Sequence, residues 1–250
     1  MNFRIYSLSD NKLVVQLSPQ VLESQIRFLY ALKSLVSHLG HPGIKEIMVT
    51  FHELTLIFDH SVASYEQLKA LMEVEISRCD LKNTQHNGDT RILKLPVCYD
   101  DEWALDKNRM TEMTGLPFSD IIALHQRGIY VVYMLGFLPG FLYLGGLDPR
   151  LSCPRLSKPR SRIEPGSVGI ADAQTGIYPM PSPGGWNIIG RTPVTIFDYN
   201  QSDGKEMEIS SASLVQPLDR IEFISIDRKQ FDQFHGWSIL EYQRVHQNMK

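Results

Sequence analysis

The chain has 250 residues, of which 43% are hydrophobic and 21% are charged, and its formal net charge is −3. These values are typical of a soluble globular protein with one large domain or two of ordinary size. The small net charge favours neither a nucleic acid nor an anionic membrane as a partner. Three cysteines without a CxxC pair argue against a disulfide framework and against a thiolate zinc site.

The first fifteen residues, MNFRIYSLSDNKLVV, do not have the pattern of a secretory signal peptide. Arg4, Asp10 and Lys12 interrupt their apolar residues. No later run approaches the roughly 20 apolar residues that a membrane span needs. We therefore expect a cytoplasmic protein without membrane association.

Two hairpins and two helices are predicted in the first part of the chain. Residues 3–8 and 12–17 flank a polar turn, and Ser18-Pro19 has the N-cap and first-turn residues of a helix that ends at Gly40. This helix has one apolar stripe, formed by Leu22, Ile26, Leu29, Leu32, Val36 and Leu39.

The second hairpin pairs residues 46–51 with residues 54–59, and a second amphipathic helix reaches about Arg78. The order ββαββα predicts an α+β fold that begins with a ferredoxin-like sandwich. Polar residues 82–90 are the expected linker. We place the boundary near Asn87, which gives domains of residues 1–87 and 88–250.

The second part opens with a strand at 92–97, a helix from about 102 to Gly115 and a helix from 119 to 126 with Ser119 as its cap. A buried strand is predicted at 129–135. Short strands between Gly/Pro turns follow, at 168–172, 176–179, 187–190, 193–198 and, after an Asp203-Gly204 turn, 220–226. This spacing predicts a closed or nearly closed β-barrel, and the tail from Arg228 predicts a short amphipathic helix.

Several catalytic motifs are absent from the sequence. It contains no phosphate-binding P-loop and no nucleophile elbow, and its histidines lack a third ligand at metal-site spacing, so we predict no metal. His125, at the end of a predicted helix, is a weak candidate for a general base. A hydrogen-bonded structural histidine at a helix end is the commoner alternative.

A basic segment is the first candidate binding element. Arg150, Arg155, Lys158, Arg160 and Arg162 fall within a short stretch, and arginine forks match the oxygens of carboxylates and phosphates. The alternative is a solvated loop with weak surface ion pairs.

The segment from Ile163 to Pro193 is dense in glycine and proline but has regular apolar anchors, which indicates an ordered and shaped loop region. Its glycines, including Gly184 and Gly185, let a ligand approach the backbone closely. The candidate side chains are Gln174, Tyr178, Trp186, Asn187 and Arg191. Structural packing of the same residues is the alternative.

The run GFLPGFLYLGGL, residues 136–147, has too many apolar side chains for an isolated loop. Either it lies under the barrel or it forms a patch for a partner protein. We favour a partner interface for at least part of it, with Phe137, Pro139, Phe141 and Tyr143 as the contact residues.

This run, the Pro-Arg pairs at 154–155 and 159–160, and the stretches GSVGIADAQTGIYP (166–179) and SPGGWNIIGRTP (182–193) resemble the family of 5-oxoprolinase B subunits. That family was formerly called allophanate hydrolase subunit 1. It includes the sporulation histidine-kinase inhibitor and is related to the carboxyltransferase domain of urea carboxylase.

The resemblance implies a cyclophilin-like β-barrel after the first domain. It also implies one component of an ATP-dependent 5-oxoprolinase, an enzyme that opens 5-oxoproline (pyroglutamate) to L-glutamate and whose other components are the C and A subunits. ATP would bind through the complex, since this chain has no nucleotide motif. The substrate-binding candidates are Arg155, Arg160, Gln174, Tyr178, Gly184, Gly185 and Arg191.

Inhibition of a sensor histidine kinase by simple binding is the alternative function, and hydrolysis of allophanate lacks a candidate nucleophile. Two positions depart from the family pattern. Leu218-Asp219 stands where members usually have a Gly-Asp turn, and Asp172-Ala173 stands where small residues, more often glycine, are usual.

Overall fold

A computed structural model describes residues 2–79, 91–198 and 213–247, without the side chain of the last of these. The chain divides into two units, Met1–Thr90 and Arg91–Lys250. The predicted boundary near Asn87 lies outside the described residues and stays a prediction. None of the helices in the described ranges has the length and apolar character that crossing a membrane requires.

The first unit contains an antiparallel sheet of four strands in the order β1-β2-β4-β3. Alternation of side chains along β4 buries Leu54, Leu56 and Phe58, which pack with apolar residues of both helices. The elements are β1 (Phe3–Ser9), β2 (Lys12–Leu17), α1 (Glu23–His38), β3 (Ile44–Val49), β4 (Glu53–Phe58) and α2 (Tyr65–Arg78). Both predicted hairpins and both predicted helices are therefore confirmed as elements.

The predicted start of the first helix at Ser18-Pro19 is wrong. Helix α1 begins at Glu23, and its N-cap Leu22 is extended and 46% exposed, outside the apolar stripe. Glu23 lies in the first turn, where a carboxylate is favourable, and its Oε1 is 2.7 Å from Nη2 of Arg27 one turn later. These local interactions favour the later start. Gly40, the predicted end of the helix, follows it directly after the C-cap Leu39 and has a left-handed conformation.

The second unit contains a mixed sheet of seven described strands in the order β12-β9-β10-β7-β6-β13-β5, in which only the pair β13–β5 is parallel. These strands are β5 (Ile92–Val97), β6 (Ile129–Leu135), β7 (Leu142–Gly145), β9 (Ser167–Ala171), β10 (Gln174–Ile177), β12 (Asn187–Arg191) and β13 (Arg220–Ser225). A separate two-stranded ribbon pairs β8 (Arg160–Ile163) with β11 (Ser182–Gly184). The helices are α3 (Lys107–Thr114), α4 (Phe118–Arg127), α5 (Arg228–Phe234) and α6 (Ile239–Gln247), with a 3₁₀ turn at Pro149–Leu151.

The sheet curls until its two edge strands meet. The backbone N–H of Cys98, just after β5, donates to the carbonyl of Arg191 at 2.9 Å, and the N–H of Arg191 donates to the carbonyl of Cys98 at 2.9 Å. Gly190 permits this approach, because a Cβ there would lie 2.8 Å from the Cys98 oxygen. The prediction of a nearly closed sheet in this half of the chain is thus confirmed in its coarse form.

Helix α6 covers part of the remaining edge of β5. The side-chain amide of Gln243 donates to the Lys94 carbonyl at 2.6 Å and accepts from the Lys94 N–H at 3.0 Å. The side-chain amide thereby satisfies backbone groups of an edge strand that a neighbouring strand would otherwise have to satisfy.

Several predicted elements of this unit need correction. Residues 193–198 form no strand; Thr195 instead exchanges backbone hydrogen bonds with Trp237 and Ile239 at the α5–α6 connection. Helix α4 begins at Phe118, so Ser119 is inside it and is not its cap. Helix α3 begins later than predicted, after its N-cap Asp106. The Asp203-Gly204 turn lies outside the described residues.

The two departures from the family pattern coincide with left-handed backbone. Leu218 has φ = 72° and Asp172 has φ = 51°. Glycine adopts this conformation without steric cost, whereas a leucine or an aspartate is less favourable in it. At the first turn, the Asp219 carboxylate accepts hydrogen bonds from Gln216 N–H at 2.8 Å and from Arg91 Nε at 3.0 Å, which fix the loop in spite of the leucine.

His125 lies in the core of the second unit and is fully buried. Its ring stacks on Phe223 with centroids 4.3 Å apart. The Thr175 hydroxyl donates to the Gly169 carbonyl, so its oxygen accepts from Nε2–H of His125 at 3.0 Å, and Nδ1 accepts from the Tyr99 hydroxyl at 2.9 Å. The structure thus favours the structural alternative over the general-base candidate, since both ring nitrogens are occupied.

Gln243→Leu is expected to lower the free energy of unfolding by about 2 kcal/mol, because two backbone groups of Lys94 lose their partner. Urea denaturation measures the change. The matched control is Gln233→Leu on the exposed surface of α5, which is expected to change stability by less than about 0.5 kcal/mol. Equal effects of the two substitutions would contradict the proposed role of Gln243.

His125 is expected to make the protein acid-sensitive. Burial lowers the pKa of His125 from 6.5 to about 3. At acidic pH the unfolded chain therefore binds a proton at His125 that the folded chain does not bind. The contribution of His125 to the free energy of unfolding is fully present above pH 6.5 and is lost progressively as the pH falls below 6.5. Between pH 7.5 and pH 5.0 this residue should cost about 2 kcal/mol in the free energy of unfolding.

Urea denaturation at the two pH values tests this expectation. His125→Gln should remove about 2 kcal/mol of the pH-dependent loss, even though it lowers stability at pH 7.5 by disturbing the core. His60→Gln, at an exposed position, should leave the loss unchanged. A His125→Gln variant that retains the full loss would show that another group is responsible.

Candidate functional site

An aromatic cluster lies on the face of the sheet opposite the barrel core. Along β7, Leu142 and Leu144 point into that core, so the alternate residues Phe141 and Tyr143 point to the other face. Ring centroids of Phe141 lie 4.9 Å from Tyr178 and 5.4 Å from Trp186. We use "aromatic cluster" for Phe137, Phe141, Tyr143, Tyr178 and Trp186.

Glycines make room for this cluster beside the β8–β11 ribbon. A Cβ on Gly176 would lie 2.8 Å from the Trp186 ring, and a Cβ on Gly184 would lie 2.3 Å from the Tyr178 hydroxyl oxygen. A Cβ on Gly185 would make only ordinary contacts, the nearest at 3.6 Å. Of the two predicted substrate-binding glycines, Gly184 therefore has a packing role and Gly185 does not.

The four predicted partner-interface residues differ in exposure. Phe137 is 62% exposed and Pro139 is exposed, whereas Tyr143 is half-buried. Phe141 is only 1% exposed, so it lies beneath the exposed residues of the loop, and its place in a partner interface stays a prediction. Phe137 also has φ = 66°, a conformation that is uncommon for an aromatic residue.

Arg160, a predicted substrate-binding residue, forms a bidentate ion pair with Asp106. Its Nη1 and Nη2 lie 2.9 and 2.8 Å from the two carboxylate oxygens. Asp106 is 5% exposed and also accepts from the Ile188 N–H at 2.6 Å. The pair therefore ties the ribbon to α3 and β12, and its guanidinium fork is already occupied.

The other arginines of the basic segment also face carboxylates. Arg155 is exposed, with Nε 3.7 Å from Oδ2 of Asp172 and its guanidinium 5.9 Å from the Trp186 ring centroid. Arg150 and Arg162 pair with Asp148 and Glu164, respectively. Hydrogen bonds from Arg150 lower the pKa of Asp148 to about 2. The segment is therefore largely neutralised within the chain.

A network of hydrogen bonds around Asn187 packs next to the aromatic cluster. Of its residues, only Asn187 was predicted from the sequence. The Asn187 amide donates to the carbonyls of Ile170 at 2.9 Å and Pro154 at 3.1 Å, and it accepts from Nε of Arg109 at 2.9 Å. The role of Arg109 could not be predicted from a sequence motif, because its partner Asn187 lies 78 positions away in the chain. Gln174 is half-buried at the start of β10, and its Nε2 has no hydrogen-bond partner among the described residues.

A groove of about 200 Å³ lies next to the end of β12. We call it the Arg191 groove; its lining includes Pro165, Gly166, Tyr178, Pro179, Arg191, Thr192, Pro193, Phe231 and His235. It brings together only two of the predicted substrate-binding residues, Tyr178 and Arg191. The others, Arg155, Arg160, Gln174, Gly184 and Gly185, are not among its described lining residues.

Arg191 differs from the other predicted arginines in its partner. Its Nε donates to the Pro165 carbonyl at 2.8 Å, so a neutral group and not a carboxylate holds it. The nearby Glu164 pairs with Arg162, which lowers the pKa of Glu164, and the charge of Arg191 adds a smaller contribution. Within the described ranges, no group of three or more His, Cys, Asp or Glu side chains is arranged to hold a metal ion.

Gly184→Ala is expected to lower the free energy of unfolding by about 1–3 kcal/mol, because the new methyl group would overlap the Tyr178 hydroxyl. Gly185→Ala is the matched control and should change stability by less than about 0.5 kcal/mol. Thermal or urea unfolding of both variants measures the difference. Similar stabilities for the two variants would show that the ribbon does not pack on Tyr178 in this way.

Comparison with known proteins is consistent with this architecture. The family model "Carboxyltransferase domain, subdomain C and D" matches residues 3–206. The chain is 35% identical to the 5-oxoprolinase B subunit of Haemophilus influenzae over 221 residues, which cover 88% of this chain and 96% of that protein.

Two solved structures have a similar fold. The crystal structure of TTHA0988 has a TM-score of 0.70 at 30% identity over 86% of this chain, and the Kluyveromyces lactis urea carboxylase has a TM-score of 0.75 at 17% identity over 99% of this chain. This chain spans 40% of the former and 25% of the latter. The matched lengths and identities show that the chain belongs to the family of 5-oxoprolinase B subunits, among the proteins that share subdomains C and D of carboxyltransferase domains.

Proposed function

We propose that this chain is the B subunit of an ATP-dependent 5-oxoprolinase, which opens 5-oxoproline to L-glutamate only when the partner C and A subunits are present. One observation carries the proposal: the match to a protein named as a 5-oxoprolinase B subunit extends over 88% of this chain and 96% of the relative. A match of this extent leaves little of the chain for a different architecture.

The dependence on partners has separate support. This chain spans only 40% of TTHA0988, which has a related fold within a longer polypeptide. Among the described side chains there is also no evident nucleophile paired with a general base, since His125 is buried and both of its ring nitrogens are hydrogen-bonded inside the core. A chain that completes a shared site fits these observations better than a self-sufficient enzyme.

The described residues of this chain do not fit ATP. The arginines best placed for a triphosphate by sequence, Arg155 and Arg160, face Asp172 and Asp106. Replacing these carboxylates by phosphates would leave Asp106 buried without its charge partner, which is costly. We therefore assign ATP to another part of the complex and derive no step on this chain from it.

We assign the contact with the C subunit to the loop around Phe137 and Pro139, which is exposed at the edge of the aromatic cluster. An aromatic side chain that is 62% exposed and held at φ = 66° carries two unfavourable features at once. Burial against another protein would offset both of them.

Finer descriptions of the fold belong to the same proposal. Moving β1 behind α2 converts the observed order ββαββα of the first unit into βαββαβ, the ferredoxin-like order. The curled sheet of the second unit is compatible with a cyclophilin-like barrel. A cytoplasmic location is supported by three buried cysteines that form no disulfide, Cys79, Cys98 and Cys153.

Reconstitution tests the proposed activity. The purified chain is mixed with the C and A subunits, ATP and L-5-oxoproline, and L-glutamate is measured enzymatically. Product is expected from the full set and not after omission of any one component. Absence of glutamate from a full set of folded components would contradict the proposal. Inhibition of a sensor histidine kinase's autophosphorylation by the chain alone would then favour the alternative function.

Phe137→Ser tests the assigned contact surface. The variant should keep its unfolding free energy but lose co-elution with the C subunit, because it removes the exposed ring. Leu8→Ser in β1 is the matched control, since Leu8 is 61% exposed and Phe137 is 62% exposed. Normal co-elution of Phe137→Ser would contradict the assignment, whatever the activity of the complex.

A further inference from the structure

The Arg191 groove has an electrostatic character that the basic segment lacks. Arg191 and His235 line it, and no aspartate or glutamate appears among its described lining residues. The acidic residue nearest in sequence, Glu164, is engaged by Arg162, with 2.7 Å between Oε1 and Nε. An anion in this groove would therefore meet a guanidinium without a competing carboxylate in the wall.

Arg191 retains unused hydrogen-bonding capacity. Its Nε–H donates to the Pro165 carbonyl at 2.8 Å, which fixes the position of the guanidinium group. Its Nη1 and Nη2 have no hydrogen-bond partner in the part of the chain that the structure describes. Two neighbouring N–H donors on a fixed guanidinium match the two oxygens of a carboxylate.

The walls of the groove are rigid and mostly apolar. Pro165, Pro179 and Pro193 line it, and proline has no backbone N–H to offer a ligand. Gly166 has φ = 80°, and a Cβ there would lie 2.3 Å from the Thr192 carbonyl oxygen, so the backbone is held closely at this point. A cavity of about 200 Å³ with such walls suits a small ring better than an extended chain.

We propose that the Arg191 groove binds a small monocarboxylate with a compact ring, the carboxylate pairing with the Arg191 guanidinium and the ring packing against the prolines. The identification of that ligand as 5-oxoproline rests on the proposed function, whereas the carboxylate site does not. Arg191 then orients the substrate, and the groups that open its ring come from the rest of the complex.

Isothermal titration of the full chain tests the site with two probes. L-5-oxoproline carries the carboxylate, and 2-pyrrolidinone is the same lactam ring without it. Saturable binding is expected for the first probe only. Arg191→Gln should weaken that binding at least about tenfold, the loss expected for one charge-assisted pair. Arg127→Gln, exposed at the end of α4 and away from the groove, is the matched control and should bind like the wild type.

Arg191→Lys provides a second variant that keeps the positive charge but not the fork, and intermediate affinity is expected for it. Circular dichroism and urea denaturation establish that each variant is folded. The proposal is overturned if the folded wild type binds neither probe, if it binds both equally, or if folded Arg191→Gln binds like the wild type.

The outcome for the groove can be separated from the outcome for the proposed function. An inactive reconstituted complex would contradict the oxoprolinase assignment, while carboxylate-dependent binding that requires Arg191 would still establish the site. In an active complex, Arg191→Gln should raise KM for 5-oxoproline more than it lowers kcat, because a positioning residue acts mainly on binding. An unchanged KM would contradict the role of Arg191 in an otherwise correct enzyme.

Discussion

The second unit depends on the meeting of its two sheet edges at Cys98 and Arg191. Two backbone hydrogen bonds of 2.9 Å join these residues, and Gly190 allows the strands to approach. The curled sheet separates two apolar regions, the core on its inner face and the aromatic cluster on its other face. It also fixes the backbone of Arg191, so the residue that binds the strand edge also supplies a guanidinium group to the adjacent groove.

Charge pairing is the reason for proposing the Arg191 groove, and not the basic segment, as the binding site. A cluster of arginines close in sequence suggests an anion site, yet Arg160 neutralises a buried Asp106 and Arg155 faces Asp172. An anion that bound one of these arginines would leave the aspartate without its charge partner. The free energy lost in this way exceeds the free energy gained from the new ion pair, particularly where the aspartate is buried. Arg191 meets less of this competition, because its hydrogen-bond partner is a peptide carbonyl and the nearby Glu164 is hydrogen-bonded to Arg162.

Periodicity predicted most of the elements, because alternation along strands and the spacing of apolar residues along helices report burial directly. It missed the β8–β11 ribbon, whose short strands, including Arg160 and Gly184, lie among glycines and prolines that mask any alternation. The burial of His125 could be predicted from the sequence, since Ile121 lies one helical turn before it on the same face and is also buried. The ion pair between Arg160 and Asp106 could not be predicted from the sequence, because the two residues are 54 positions apart and meet only in the folded structure.

A crystal structure of the chain soaked with L-5-oxoproline would test the carboxylate site most directly. We expect the ligand in the Arg191 groove, with both carboxylate oxygens within hydrogen-bonding distance of the Arg191 Nη atoms and the Arg160–Asp106 pair intact. A carboxylate bound instead by Arg155 or Arg160, with Asp106 or Asp172 displaced, would contradict this assignment.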